Sequence, residues 1–121
     1  MFILSQTFKI KVYNVKGSIW IESKTGTFIG YGRAILLDRI KTYGSINEAA
    51  KSMKMSYKHA WKMLDSMNKQ ASSPILEKNT GGKGGGGTTL TPEGENLLDQ
   101  FWNLYKQFEV FNKQATSKLN I

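Results

Sequence analysis

Two stretches of this sequence hold residues whose type and spacing could do chemistry. Residues 81 to 87 read GGKGGGG, six glycines around Lys83, and residues 56 to 62 read SYKHAWK, two lysines beside the chain's single histidine. A glycine-dense loop with one cation can approach phosphate closely, because glycine reaches positive φ freely and leaves no Cβ in the way. A Walker-type loop, however, needs Gly-Lys followed directly by Ser or Thr and then a helix, whereas Lys83 is followed by Gly84 and the chain runs into TTLTP. A dinucleotide loop needs a βαβ frame, and none surrounds the G-x-G-x-x-G at Gly82, Gly84 and Gly87. A flexible linker would separate two independent units, yet neither side is long enough to bury a core alone. The remaining reading is the tip of a hairpin that grips a polyanion.

Composition narrows the chemistry further. With no cysteine and one histidine, His59, the chain offers neither a thiolate nucleophile nor a cluster of metal ligands. Its acids are scattered, and the neighbours Glu93 and Glu95 fall in the first turn of an expected helix, where the helix dipole accounts for them. No enzyme, metal or cofactor is expected. The formal net charge is +8, concentrated in residues 51 to 83, which points to nucleic acid as partner. No apolar run approaches the roughly 20 residues needed to cross a bilayer. The start, MFILSQTF, lacks the charged and apolar regions of a signal peptide. A soluble cytoplasmic protein without a membrane partner is the expectation.

The elements that must position these residues follow from periodicity. FKIKV, SIWIE and TFIGYG alternate between turn-forming stretches, which predicts two or three short antiparallel strands within residues 1–30. Ile35, Leu36, Leu37, Ile40 and Tyr43 have helical spacing, so a first helix runs roughly from Arg33 to Tyr43 and ends at Gly44. Ser45 with Glu48 reads as a capping box for a second short helix through Ala49, Ala50 and Met53. Ser56 caps a third, with Tyr57, Ala60, Trp61, Leu64 and Met67 on one face. Two helices joined this tightly, with small residues Ala49, Ala50 and Ala60 at the crossing, form a helix-turn-helix pattern over residues 45–68. Lys54 stands where a glycine often sits in the turn.

PILEKN and TTLTP then flank the glycine run as a hairpin over residues 75–91, a wing with Leu76 and Leu90 pointing inward. Thr91, Pro92 and Glu93 mark the start of a helix over residues 92–115. Its apolar stripe of Leu97, Leu98, Phe101, Trp102, Leu104, Tyr105, Phe108 and Phe111 is wider than one packing face needs, so pairing with a second copy is expected. The fold class is α+β, mainly helical: a single winged helix-turn-helix domain over residues 1–121, with short N-terminal strands and a long C-terminal dimerisation helix.

At this point GSINEAAKSMKMSYKHAWKMLDSMN, followed by TGGKGGGGTTLTPEG, resembles the N-terminal DNA-binding domain of the ModE family, molybdenum-responsive regulators whose winged helix is related to that of LysR-type regulators. The resemblance runs from about Gly30 to Asn112, and the leading WIESKTGTFIGYGR is similar to what stand-alone relatives carry. It implies a sequence-specific transcriptional regulator acting on double-stranded DNA as a homodimer, in a stand-alone form without the molybdate-binding domain. Any effector would then be sensed by a separate partner.

Roles follow for particular residues. On the third helix Ser56, Tyr57, Lys58, His59 and Lys62 are candidates for base and phosphate contacts, with the Tyr57 ring packed inward and its hydroxyl near the DNA backbone. Lys83 and the backbone amides of Gly84, Gly85 and Gly86 are candidates for phosphate or minor-groove contacts, with Lys78 and Thr80 beside them. Leu97, Leu98, Phe101, Trp102, Leu104, Tyr105 and Phe108 are the candidate dimer contacts. The same basic surface would serve an architectural or non-specific nucleic-acid binder, and a nucleotide-binding enzyme would show protection of the glycine loop by ATP or GTP.

Overall fold

The computed structural model describes residues 12–79 and 87–121. Its elements are β1 (Trp20–Ser23), β2 (Gly26–Gly30), α1 (Tyr31–Tyr43), α2 (Ile46–Ser52), α3 (Tyr57–Gln70), β3 (Leu76–Lys78), β4 (Thr88–Leu90) and α4 (Pro92–Ser117). Both strand pairs are antiparallel two-stranded hairpins. Most of the expected stretch FKIKV lies outside the described residues, and Val12 at its end is exposed and in no strand. Helix α1 begins at Tyr31, two residues earlier than its apolar spacing indicates, because the chain turns directly from β2 at the extended Gly30.

Local chemistry sets the helix boundaries. Gly44 ends α1 in the left-handed region, with φ 68°, and donates its amide to the Ile40 carbonyl. The hydroxyls of Ser45, Ser56 and Thr91 accept the amides of Glu48, His59 and Gly94 respectively, satisfying a first-turn donor in each helix. Between α2 and α3 the left-handed position is taken by Lys54, at φ 56°. A side-chain-bearing residue there carries a conformational cost of roughly 1–2 kcal/mol that glycine would not.

One core gathers these elements. Leu36, Leu37 and Ile40 of α1 meet Ile46, Ala49 and Ala50 of α2, and Ala60, Leu64 and Met67 of α3. Leu98 and Phe101 of α4 close it with Ile29 and Ile75. All three alanines at the α2–α3 crossing are buried, which lets the two helix backbones approach closely. Gly94 is needed for a similar reason, since a Cβ built there would fall on the Ile75 carbonyl oxygen.

Two parts of the apolar reading are corrected by this packing. Leu98 and Phe101 are fully enclosed by the chain's own core and are closed to a partner copy; the helix stripe looked too wide because α4 packs on α1, β4 and the aromatic side chain of Tyr31 together. Tyr57 is 49% exposed and not packed inward: the first-turn residue that reaches the core is Ala60, and the Tyr57 ring lies against Trp61 instead.

Two substitutions test the backbone argument. Gly94→Ala is expected to destabilise the chain by roughly 3 kcal/mol, as overpacking against a fixed backbone does. Lys54→Gly is expected to stabilise it by up to about 1 kcal/mol, the relieved left-handed strain less the added freedom of the unfolded chain. Urea unfolding midpoints measure both.

Candidate nucleic-acid interface

The outer side of the first two turns of α3 faces away from the core. Ala60 and Leu64 fasten the helix from beneath, and Ser56, Tyr57, Lys58, His59 and Lys62 are all exposed on its outer side. Ser56 is spoken for in part, since its hydroxyl caps the helix by accepting the His59 amide at 3.0 Å. The remaining groups suit a polyanion that carries base edges: two ammonium groups, an imidazole with donor and acceptor nitrogens, and a phenol.

Beside this face stands the hairpin of β3 and β4. Its register pairs Leu76 with Leu90, Glu77 with Thr89 and Lys78 with Thr88. Asn79 donates its amide to the Gly87 carbonyl at 2.9 Å, extending the ladder toward the tip. Thr80, Lys83, Gly84, Gly85 and Gly86, singled out in the sequence, lie outside the described residues. The root of the hairpin is firmly held. The Thr88 amide donates to the Gly44 carbonyl at 2.9 Å, and a Cβ on Gly87 would lie 2.8 Å from that same oxygen, so this close approach requires glycine. At the other strand the Ile75 amide donates to Asn68 Oδ1 of α3 at 2.9 Å.

Helix and hairpin are also joined by a stack that spacing alone did not reveal. Tyr57 meets Trp61 edge-on with ring centroids 6.2 Å apart, and Lys78 Nζ lies 4.9 Å from the Trp61 ring centre. A candidate contact on the hairpin is thereby held against the helix that carries the other candidates. Trp61, expected in the core, instead sits half-buried between the two elements. The signal available was the (i, i+4) pair of aromatics beginning at Tyr57, wider than a short helix needs for packing.

A third set of bonds fixes the far end of α3. Arg33 Nη1 donates to the Thr27 carbonyl at 2.8 Å, the Phe28 carbonyl at 3.1 Å and Ser66 Oγ at 3.2 Å. Burial pulls its guanidinium below the usual value, though an arginine stays charged at neutral pH. Gln70 Nε2 donates to the Thr27 carbonyl and Ser66 Oγ at 2.8 and 3.0 Å. The β1–β2 hairpin is thus latched to α3.

The candidate dimer residues separate by burial. Leu97, Trp102, Tyr105 and Phe108 are partly covered, and Leu104 is exposed. Trp102 donates its indole N–H to Asp38 Oδ2 at 2.8 Å, and Tyr31 packs on both Trp102 and Tyr105. Gly17 lies against Phe108, and the Val15 amide reaches Thr116 Oγ1 at 2.8 Å, so residues 12–19 run along the second half of α4. Phe111 and Val110 remain exposed beyond them. Among the described residues no group of three or more His, Cys, Asp or Glu is placed to hold a metal ion, and no helix is long and apolar enough to cross a membrane.

A helix-turn-helix with an exposed second helix and a hairpin wing packed beside it defines a winged helix DNA-binding protein. Residues 34–95 match the family of bacterial regulatory helix-turn-helix proteins of the lysR type, and the chain belongs to that family. Among known proteins it is similar to the transcriptional regulator ModE of Haemophilus influenzae, 48% identical over 88 residues, covering 73% of this chain and 34% of the relative. It is also similar to the molybdenum transport protein ModE of Azotobacter vinelandii, 36% identical over 100 residues, covering 83% and 36%. The DNA-binding transcriptional dual regulator ModE of Escherichia coli K12 is 42% identical over 77 residues, covering 64% and 29%. The chain spans about a third of the length of these curated relatives.

The Trp61–Lys78 contact can be checked without a ligand. A double-mutant cycle on stability with Trp61→Leu and Lys78→Met is expected to return a coupling of about 0.5–1 kcal/mol, the size of an exposed cation–π pair. Additive effects would remove the stack as a link between helix and wing.

Proposed function

We propose that this chain is a sequence-specific, DNA-binding transcriptional regulator connected to molybdenum metabolism, working as a homodimer. The observation that carries the reading is the exposed row of Ser56, Tyr57, Lys58, His59 and Lys62 on a helix whose underside is locked to the core. A helix of this kind enters the major groove with its first turns against base edges, while the neighbouring hairpin tracks the backbone. Lys58 and His59 then read bases, Lys62 and Lys78 neutralise phosphates, and the loop with Thr80, Lys83, Gly84, Gly85 and Gly86 extends the backbone contacts. Support for molybdenum comes from the names of the relatives, two of which are called regulators and one a molybdenum transport protein. Nothing in this role calls for catalysis or for a membrane, and the cytoplasm is where such a regulator meets its DNA.

Selection of bound duplexes from a random pool tests the reading, with a palindromic motif expected, its half-sites one helical turn or a multiple apart. Tight binding at low salt with no recovered motif would overturn sequence-specific regulation. Lys58→Ala and His59→Ala are expected to alter the motif, whereas Lys78→Ala lowers affinity for all sequences alike and reduces the salt slope by about one.

Dimerisation is assigned to α4, where Leu104 and Phe111 are exposed and Trp102, Tyr105 and Phe108 are partly covered. The double variant Leu104→Glu, Phe111→Glu is expected to sediment as a monomer at concentrations where the parent is dimeric. Both side chains lie outside the core, so the secondary structure should be kept.

A further inference from the structure

The tip of the N-terminal hairpin, Ser23 to Gly26, has no part in the core, yet it is built more carefully than a connecting turn requires. Gly26 takes φ 129°, and the Ser23 hydroxyl accepts the Thr25 amide at 3.2 Å and meets the Thr25 hydroxyl at 3.2 Å. The same Ser23 hydroxyl bonds to Gln70 of α3, and the strand behind it is latched by Arg33 and Gln70 to the Thr27 carbonyl. These bonds set the tip against the outer side of α3. Thr25 shares an open groove of about 460 Å³ with Lys62, Asp65, Ser66, Lys69 and Gln70.

The charges around that groove favour an anion. Lys24 is exposed at the tip, and Lys62 and Lys69 stand on the helix wall. Asp65 is the one acid lining the groove, and it is paired with Lys69 at 2.9 Å. The one acid on the hairpin itself, Glu22, accepts the Trp20 indole N–H at 2.9 Å, on the strand face opposite to Ser23. Among the described residues the ammonium groups of Lys24 and Lys62 form no ion pair, and the groove's one acid is already engaged by Lys69. Lys62 lies one turn after Lys58 on the side of α3 already assigned to DNA.

We infer that the β1–β2 hairpin is a second wing, which places Lys24 and the Thr25 hydroxyl against a phosphate of double-stranded DNA beside the recognition helix, on the flank reached by Lys62. This rests on the DNA-binding role proposed above. The two hairpins then straddle α3, with Lys78 on one side and Lys24 on the other. Such a contact lengthens the footprint without adding base readout, because phosphate contacts fix register and carry no sequence information directly.

The test uses the whole chain with two duplexes of equal length, one holding the selected motif and one of scrambled sequence, titrated at several salt concentrations. Lys24→Gln is expected to weaken binding to both duplexes by the same several-fold factor and to reduce the slope of log K against log salt by about 0.9, one phosphate contact. Thr25→Glu, which sets a negative charge at the tip, is expected to weaken both further. Ethylation interference should show one phosphate outside the motif whose modification hinders the parent but not Lys24→Gln. If both variants keep the parent's affinity and slope while the parent binds the motif, the second wing is overturned and the regulator reading stands. A parent that binds neither duplex overturns the regulator reading, and the second wing with it.

Discussion

The geometry depends most on the backbone around Gly44. This residue ends α1 in a left-handed turn that its lack of a side chain makes cheap. Its carbonyl receives the Thr88 amide from the root of the wing, and Gly87 comes so near that any Cβ would collide. The following residue, Ser45, caps α2. Three elements therefore take their direction from two consecutive residues. A change at Gly44 would tilt α2 relative to the wing, and the spacing between α3 and the β3–β4 hairpin would change with it.

Around that junction the chain uses two kinds of fastening. Apolar burial under Ala60, Leu64 and Met67 fixes the height of α3, since full burial of a Leu or Met side chain contributes about 1.5–3 kcal/mol relative to exposure. Directional contacts fix its rotation and its neighbours: Asn68 to the start of β3, Gln70 to the N-terminal hairpin, Ser66 to Arg33 of α1, Trp61 to Lys78. The hydrogen-bonding groups among them, Ser66, Asn68 and Gln70, lie in the C-terminal half of the helix, and the exposed side chains of Lys58, His59 and Lys62 lie in the N-terminal half. Between α1 and α4, Lys41 and Glu95 approach to 3.0 Å, and that hydrogen bond raises the lysine above its usual range. Both side chains are about two-fifths exposed, so the pair orients more than it stabilises.

Where sequence reading succeeded and where it failed has a physical pattern. Gly44, Ser45, Ser56 and Thr91 were legible as helix boundaries because capping is decided within three or four residues. The outward placing of Lys58, His59 and Lys62 was legible because helical period turns them away from Ala60 and Leu64. Tyr57 was misread because period gives a direction around the helix axis and not the point where the core ends. Leu98 and Phe101 were assigned to a partner because the stripe on α4 gives no sign of how much of it α1, Ile29 and Ile75 already cover. The latch of Arg33 and Gln70 on the Thr27 carbonyl joins residues as many as 43 positions apart through side chain to backbone bonds. Interactions of that sort leave no periodic trace.

The three tryptophans fall in three unlike surroundings. Trp102 donates its indole N–H to Asp38 beside the core, Trp61 of α3 faces Lys78, and Trp20 is half-exposed on the N-terminal hairpin. Indole emission depends on local polarity and nearby charge, so one chromophore reports three separate events in the same molecule. Trp102 follows the packing of α4 on α1. Trp61 follows whatever moves the wing or draws Lys78 away, and Trp20 follows the hairpin. The chain thus carries its own optical labels beside its core, on α3 and on its N-terminal hairpin, with no dye attached.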